Sequence, residues 1–477
     1  MLIVRRDVAA PKPGPLFGDM GLMLDTGPDL STGLFSHIDF SNGAVAAVSG
    51  GSDSTALLLL LKQHLDKTAP SAKLLAATID HGLRQGSADE ARTVAKLCAD
   101  RGIAHHILAW PGAKPSTGLP AAAREARYRL LASAARAEGI GLIVTGHTAD
   151  DQAETVLMRR DRNDAARGEG RGLAGMAPAT LHDWRDWIVR PLLGVRRHAL
   201  RDFLRRQQVG WAEDPTNADK AFERPRMRAA LAGEAGAQRM NDALALAARQ
   251  AGDRTRLGGE AARLIERFAS QPAAGLIRLD PALLGAGADR AAVYALRVLL
   301  ATSGGIAFLP DQARGEALFA RLKAGFLCAT LSRTVIDFRR AGIFLRREMR
   351  GLPAAAVTID GPIWDGRRQI TLNDAGGALL IAPFGAMAAK RLAVGGGETP
   401  PSLLRAALAA EPGWPQPVEQ VGPEPDRPTS QGFAASAVVA PFARFLPSFD
   451  LAPARAVAGL IGAAPLPALP LRGHSAG

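Results

Sequence analysis

Between Asn42 and about Glu213, short apolar runs alternate with longer stretches whose apolar positions recur at helical spacing. The runs Ala44–Val48, Leu74–Ile79, Ala104–Ala109, Gly141–Thr145 and Trp187–Val189 predict strands. The stretches Thr55–Asp66, Ala88–Arg101, Pro120–Glu138 and Asp150–Arg159 predict helices, the second opening on a capping box of Ser87 and Glu90. Such alternation predicts an α/β domain, a parallel sheet with helices on both faces and ligands at the carboxyl ends of its strands. This catalytic domain is expected over 37–218, after an N-terminal extension, 1–36, that is rich in Pro, Gly and Asp.

Farther on the rhythm changes. Ala229–Ala269, Ala286–Leu300 and Gln312–Lys323 predict a mainly helical domain over 219–350, ending in short strands within Cys328–Leu345. A smaller α+β C-terminal region follows at 351–477, β-rich over Pro353–Ala389 with turn signals at Asp360-Gly361 and Asp365-Gly366. Residues 391–435 read as a linker or loose loop. The Ala-, Pro- and Leu-rich tail gives no firm element.

Composition narrows the partners. A chain of 477 residues with 47% apolar and 22% charged residues suits a globular protein of two or three domains. Its net charge of +12 favours a polyanionic partner, nucleic acid first. The two cysteines, Cys98 and Cys328, are far apart and form no C-x-x-C, which supports neither a zinc knuckle nor a disulfide framework and suits a reducing cytosol. Met1–Lys12 has no apolar core of a signal peptide, and no run near the catalytic motif approaches the roughly 20 residues that span a bilayer, so no membrane partner is expected.

Candidate chemistry begins where the first strand ends. Val48-Ser49-Gly50-Gly51-Ser52-Asp53-Ser54-Thr55 predicts a strand, a tight glycine turn and the first turn of a helix. Glycines let the backbone curl close to a ligand, and the helix start offers unpaired N–H groups to phosphate. The hydroxyls of Ser49, Ser52, Ser54 and Thr55 can add hydrogen bonds. Asp53 would repel phosphates unless a cation lies between, which points to Mg²⁺. The lysine of a Walker A loop is missing, which argues against kinases and GTPases.

Other polar groups fall at the remaining strand ends. Asp80 and His81 follow the second strand and could face a nucleobase, a ribose or a metal. Arg124 and Arg127 share a helix face and suit phosphate. His147, Asp150, Asp151 and Glu154 follow the fourth strand, and their carboxylates could hold Mg²⁺ or a substrate ammonium group. Arg196, Arg197, Arg201, Arg205 and Arg206 line one helix as a candidate RNA-backbone contact, and Arg224, Arg226 and Arg228 read as a flexible strap for phosphates.

The eight-residue turn resembles the PP-loop of ATP pyrophosphatases, which split ATP into AMP and pyrophosphate and activate an oxygen as its adenylate. In order, Ser49–Ser54, Asp80–Arg84, Arg124–Arg129, Thr145–Met158, Gly172–Met176, Arg190-Pro191-Leu192-Leu193, and Glu213–Asn217 with Phe222 and Arg224 resemble the tRNA(Ile)-lysidine synthase family over about residues 42–228. The resemblance implies a Rossmann-like fold of the PP-loop, adenine nucleotide alpha hydrolase type. It also implies a cytoplasmic, ATP-dependent ligase that forms a C–N bond, joining L-lysine to C2 of the wobble cytidine of tRNA(Ile) with a CAU anticodon. ATP would lie on Ser49, Gly50, Gly51, Ser52, Asp53 and Ser54, with Mg²⁺ on Asp53. Arg127 and His147 would join Asp53 as catalytic residues facing the nucleotide and the adenylate. Asp151 and Glu154 would hold the lysine ammonium. Asp80, His81, Arg124, Arg201, Arg205 and Arg224 are candidate nucleotide or tRNA contacts, the last three with the helical domain as a tRNA-binding surface. A homodimer is left open.

Two departures stand out: a longer, charged segment at Met158–Arg171, and a weak match beyond about residue 350. The rivals are a tRNA thiolase with the same loop, which would need cysteine pairs or an iron–sulfur cluster, and another ATP-pyrophosphatase synthetase.

Overall fold

The alternating rhythm of the first half becomes β1 (Ala44–Ala47), α1 (Ser52–Thr68), β2 (Leu74–Asp80), α2 (Ser87–Ala99), β3 (Ala104–Ala109), α3 (Leu119–Ala137), β4 (Leu142–Thr145), α4 (Ala149–Ala166), β5 (Ala179–His182), β6 (Asp186–Val189) and α5 (Arg197–Arg206). The computed structural model describes residues 33–82, 86–166, 170–213, 223–358, 363–372, 379–391, 399–413 and 433–472. Outside them fall most of the N-terminal extension, Leu83 and Arg84, residues 167–169 of the charged segment, Asp214–Phe222, and the Asp360-Gly361 turn. The chain divides into two compact units, Met1–Gly252 with Ala468–Gly477, and Asp253–Pro467.

Within the first unit the strands run in the order β5-β6-β4-β1-β2-β3. β1 pairs in parallel with β2 on one side and β4 on the other. The chain therefore winds outward through β2 and β3, then returns across β1 to start β4. The carboxyl end of β1 is thus a topological switch point, where α/β sheets open a crevice for ligands. The buried leucines Leu57, Leu58, Leu60 and Leu61 lock α1 in place. Each contributes about 1.5–3 kcal/mol of burial. α1 needs apolar side chains on more than one face because it packs against both β1 and α5.

Three expectations need correction. The sheet is not wholly parallel: β5 runs antiparallel to β6. Their turn places Asp183 and Trp184 at φ +47° and +63°, a left-handed geometry that no glycine in the sequence announces. The capping box at Ser87 does not form, since Gly86 is the N-cap and Ser87 Oγ donates to Asp80 Oδ1 at 2.7 Å. The expected arginine strap is helical, α6 (Glu223–Ala230), followed by α7 (Glu234–Phe268). α4, α6 and the first half of α7 close a small apolar core of Val156, Leu157, Leu231, Met240 and Ala243.

The second unit sets a sheet beside its helices. β7 (Ala269–Ala273), β8 (Leu276–Leu279), β9 (Cys328–Leu331), β10 (Thr334–Arg339) and β11 (Gly342–Arg347) form one sheet, ordered β7-β8-β11-β10-β9. Helices α8 (Asp289–Gly304) and α9 (Gln312–Ala324) accompany it. Two further three-stranded sheets follow, one built on Leu379–Pro383 and one on Arg368–Leu372. Asp365-Gly366 makes its expected turn, at φ +50° and +69°. The supposed linker contains a helix, Pro401–Ala409, and the tail another, Leu451–Ile461. Arg254 and Tyr294 anchor the latter region through buried Asp450. Among the described residues no helix is long and apolar enough to cross a membrane.

Candidate active site

The turn after β1 is braced from within. The Ser49 amide donates to Ser54 Oγ at 3.1 Å, and Ser54 Oγ donates to the Gly51 carbonyl at 3.2 Å. Ser54 therefore shapes the loop from within. Gly50 sits at φ +84°, a conformation open to glycine at little cost. Its carbonyl accepts from the Ala212 amide at 2.9 Å, tying the loop to the segment after α5. Gly51 is the N-cap of α1 and no side chain caps it. The first intrahelical bond is from the Thr55 amide to the Gly51 carbonyl. The amides of Ser52, Asp53 and Ser54 precede that bond, so the helix start presents uncapped donors, the arrangement that binds phosphate.

A second loop reaches this turn from β4. Gly146 makes the approach feasible: a Cβ there would lie 3.0 Å from Asp53 C, Asp53 O and Ser54 Cα. Directly after it, His147 Nδ1 pairs with Thr145 Oγ1 at 3.0 Å. Burial first, then the charge of Arg190, depresses His147 to about 3, while Asp151 opposes. His147 is therefore neutral at physiological pH. Arg190 is itself fully buried, donating to the Ala177 carbonyl at 2.8 Å and Thr180 Oγ1 at 3.0 Å.

Asp53, Asp151 and Glu154 come together on one guanidinium, that of Arg197. Its Nε lies 2.9 Å from Asp53 Oδ2, its Nη2 3.0 Å from Asp151 Oδ1, and its Nη1 3.6 Å from Glu154 Oε1. Asp151 Oδ2 accepts from the amide and hydroxyl of Thr148, both at 2.9 Å. Glu154, only 1% exposed, also pairs with Arg228 at 2.9 Å. Burial raises the Asp53 carboxyl despite Arg197. In Asp151 burial pushes the same way, but Arg197 and Thr148 prevail and hold it below the usual range. Burial works to lower the Arg197 pKa, but Asp151, Asp53 and Glu154 together outweigh it, and the pKa rises.

Arginines of the opposite demand gather near His147. Arg124 and Arg224 both depress its pKa, and both also act on Arg127. Among the described residues no carboxylate pairs with Arg124, Arg127 or Arg224. Arg124 lies over the Tyr128 ring at 4.9 Å. His81 feels Arg127 and packs edge-on to Trp110, and its Nδ1 is buried without a partner.

Other candidates stay local. Asp80 spends its carboxylate on the Gly82 amide and Ser87 Oγ, at 2.9 and 2.7 Å. Arg201 and Arg205 are not gathered onto the three carboxylates. Arg201 faces Glu213 at 3.5 Å and Arg205 faces Asp202 at 2.5 Å, and both lie about 6 Å from the Trp211 ring. Arg197 belongs to the same basic row and Arg228 to the supposed strap, yet both turn to carboxylates. Spacing alone could not find them, because the periodicity of a helix does not say which face meets a neighbour.

Comparison with known proteins agrees with this geometry. Residues 33–235 match the PP-loop domain family. The chain is 74% identical over 455 residues, 95% of its length and 100% of the relative's, to a tRNA(Ile)-lysidine synthase of Mesorhizobium japonicum. It is 40% identical to a tRNA(Ile)-lysidine synthase of Brucella melitensis over 357 residues, covering 72% of this chain and 77% of the relative. A solved U34-tRNA thiolase, NcsA from Methanococcus maripaludis, is similar at 18% identity and a TM-score of 0.36, covering 44% of this chain and 72% of that one. An uncapped PP-loop, in a chain matched over 95% of its length by the Mesorhizobium protein, allows one assignment: this chain belongs to the tRNA(Ile)-lysidine synthase family.

Proposed function

We propose that the protein ligates L-lysine to C2 of the wobble cytidine of tRNA(Ile) with a CAU anticodon, consuming ATP and giving lysidine, AMP and pyrophosphate. One observation carries the reading: an uncapped phosphate-type turn and three carboxylates meet at a single switch point. A triphosphate needs the first and a cationic amine needs the second.

In the first half-reaction the C2 carbonyl oxygen attacks the α-phosphorus of ATP, and the bond to pyrophosphate breaks. Negative charge grows on the leaving group. The amides of Ser52, Asp53 and Ser54 stabilise it, and Arg127, with Arg124 and Arg224, offers guanidinium forks to phosphate oxygens. His147, being neutral, donates or accepts a hydrogen bond at the adenylate without adding charge. In the second half-reaction the deprotonated ε-amine attacks C2, and the C2–O bond breaks to release AMP.

The carboxylates suit the amine by charge. Asp53, Asp151 and Glu154 face two guanidiniums, Arg197 and Arg228, which leaves one negative charge uncompensated. A single ammonium group completes the balance at Asp151 and Glu154. For Mg²⁺ the donor set is sparse but fitting. Among the described residues no three His, Cys, Asp or Glu side chains are grouped to hold a metal alone. Mg²⁺ commonly rides on substrate phosphates with one or two protein carboxylates, and Asp53 is such a carboxylate beside the turn. When bound, the ion would offset charge on the departing pyrophosphate. Exposed Arg205 and half-exposed Arg201 supply a phosphate-binding face for the tRNA. The residues named here all come from one copy of the chain, and the reading implies a cytoplasmic setting.

The test is direct. Protein, ATP, labelled lysine and tRNA(Ile) bearing CAU should yield labelled RNA; label in no RNA, or sulfur transfer in its place, refutes the proposal. Asp53→Asn should abolish pyrophosphate release, and near-normal release would remove its metal role.

A further inference from the structure

Arg197 is held by its backbone before its side chain does anything. It is the first residue of α5, and its amide donates to Asp150 Oδ2 at 2.8 Å. Arg196 Nε lies 3.5 Å from the same oxygen, and the Ala149 amide donates to the Val195 carbonyl at 2.9 Å. The start of α5 is thus pinned to the start of α4. From that anchor each guanidinium nitrogen meets a different carboxylate: Asp53 from the PP-loop, Asp151 and Glu154 from successive turns of α4. The Arg197 side chain is 15% exposed, so the three contacts form with little water to screen them. The remaining groups around the cluster are Arg228 on Glu154, Thr148 and His147 beside Asp151, and Ser52 on Asp53.

We infer that Arg197 is a positioning residue for the amine transfer: its fork fixes the amine-binding carboxylates of α4 against the phosphate-binding turn, so that the nucleophile is aimed at the adenylate. The inference rests on the placement of lysine at Asp151 and Glu154 proposed above. A planar fork can hold three carboxylates in a set geometry, whereas an ammonium is a point charge that cannot. Removing the fork would free the carboxylates without removing them. It would also raise the net negative charge at the amine site by one. Affinity for a cation should then hold or improve while its aim is lost.

The experiment compares Arg197→Met and Arg197→Lys with the natural protein for labelled-lysine transfer. It resolves kcat from the lysine KM, with lysine affinity measured separately by calorimetry. For Arg197→Met, kcat should fall about 100-fold, the scale of a misplacement near 1 Å. The lysine KM and dissociation constant should stay within threefold or tighten. Arg197→Lys should recover part of kcat. Three results overturn the inference: an Arg197→Met kcat within threefold of the natural value, a lysine KM raised tenfold with kcat intact, or kcat and affinity lost together in a folded variant. If Arg197→Met fails to fold, Arg197→Lys decides, since it keeps the charge and loses only the fork. Failure of the natural protein to transfer lysine would instead reject the proposed function.

Discussion

One added methyl group at Gly146 tests whether the two loops of the site work as a unit. An alanine Cβ there would stand 3.0 Å from Asp53 C, Asp53 O and Ser54 Cα, where ordinary contact begins at 3.4 Å. Those atoms are backbone in the first turn of α1, so no side chain can swing aside. The loop bearing His147 and Asp151 must move away from the PP-loop by at least about 0.4 Å, and toward 1 Å for a relaxed contact. Overpacking of this kind costs about 1–3 kcal/mol of stability. A shift near 1 Å between a nucleophile site and the bound phosphate costs about 100-fold in rate. Gly146→Ala should therefore slow both pyrophosphate release and lysine transfer by about 10- to 100-fold, and lower the thermal midpoint. The assay is single-turnover release of pyrophosphate with ATP and CAU-bearing tRNA, followed by incorporation of labelled lysine. Gly141→Ala, at the other end of β4, is the control: nothing lies within 4 Å of its Cβ, and activity should be unchanged. Full activity and stability in Gly146→Ala would refute the coupling. So would equal damage from the control.

Other perturbations separate the roles further. Asp151→Asn should raise the lysine KM at least tenfold and spare pyrophosphate release; an unchanged KM moves the amine elsewhere. Glu154→Ala leaves Arg228, which is partly exposed, and Arg197, which keeps two partners, so unfolding in denaturant should reveal a loss of about 1–3 kcal/mol rather than collapse. His147 is neutral when folded and protonates near 6.5 once unfolded, so its share of stability is complete above 6.5 and is lost as pH falls from there toward about 3. His147→Gln should flatten that acid slope of the unfolding midpoint, and an unaltered slope would contradict the buried neutral state. Arg201→Ala with Arg205→Ala should weaken tRNA binding and reduce its salt slope by up to about two charges, with stability changed by less than about 0.5 kcal/mol because both ion pairs are exposed.

Legibility in the sequence followed the range of the physics. β1, β2, β4 and their helices were readable because burial on both sheet faces leaves apolar runs, and the turn after β1 because the backbone at Gly50 demands glycine. β5 was not, since Asp183 and Trp184 adopt positive φ without a glycine to signal it. β7 and β8 were hidden for another reason. Ala269–Ala273 includes a proline and alternates only half-buried positions, and it follows a 35-residue helix whose period runs straight into it. At the site, Asp53, Asp151 and Glu154 were singled out because clustered carboxylates are unusual at strand ends. Their shared partner was not: Arg197 is one arginine in a row of five, and only the pinning of α5 to Asp150 turns it inward while Arg201 and Arg205 face outward.

If lysine and ATP bind as proposed, the same asymmetry would let one small site keep two substrates of opposite charge apart. In water a polyphosphate and a lysine ammonium attract each other. Here each has its own counter-charge. Arg124, Arg127 and Arg224 lack carboxylate partners among the described residues and so remain free for phosphate. Asp53, Asp151 and Glu154, by contrast, carry together one negative charge more than Arg197 and Arg228 offset. The two fields meet at His147, which Arg190, Arg124 and Arg224 push toward neutrality and Asp151 pulls the other way. On that placement a charged histidine would repel the ammonium and compete with it for Asp151. Its burial, which dominates the shift, prevents that.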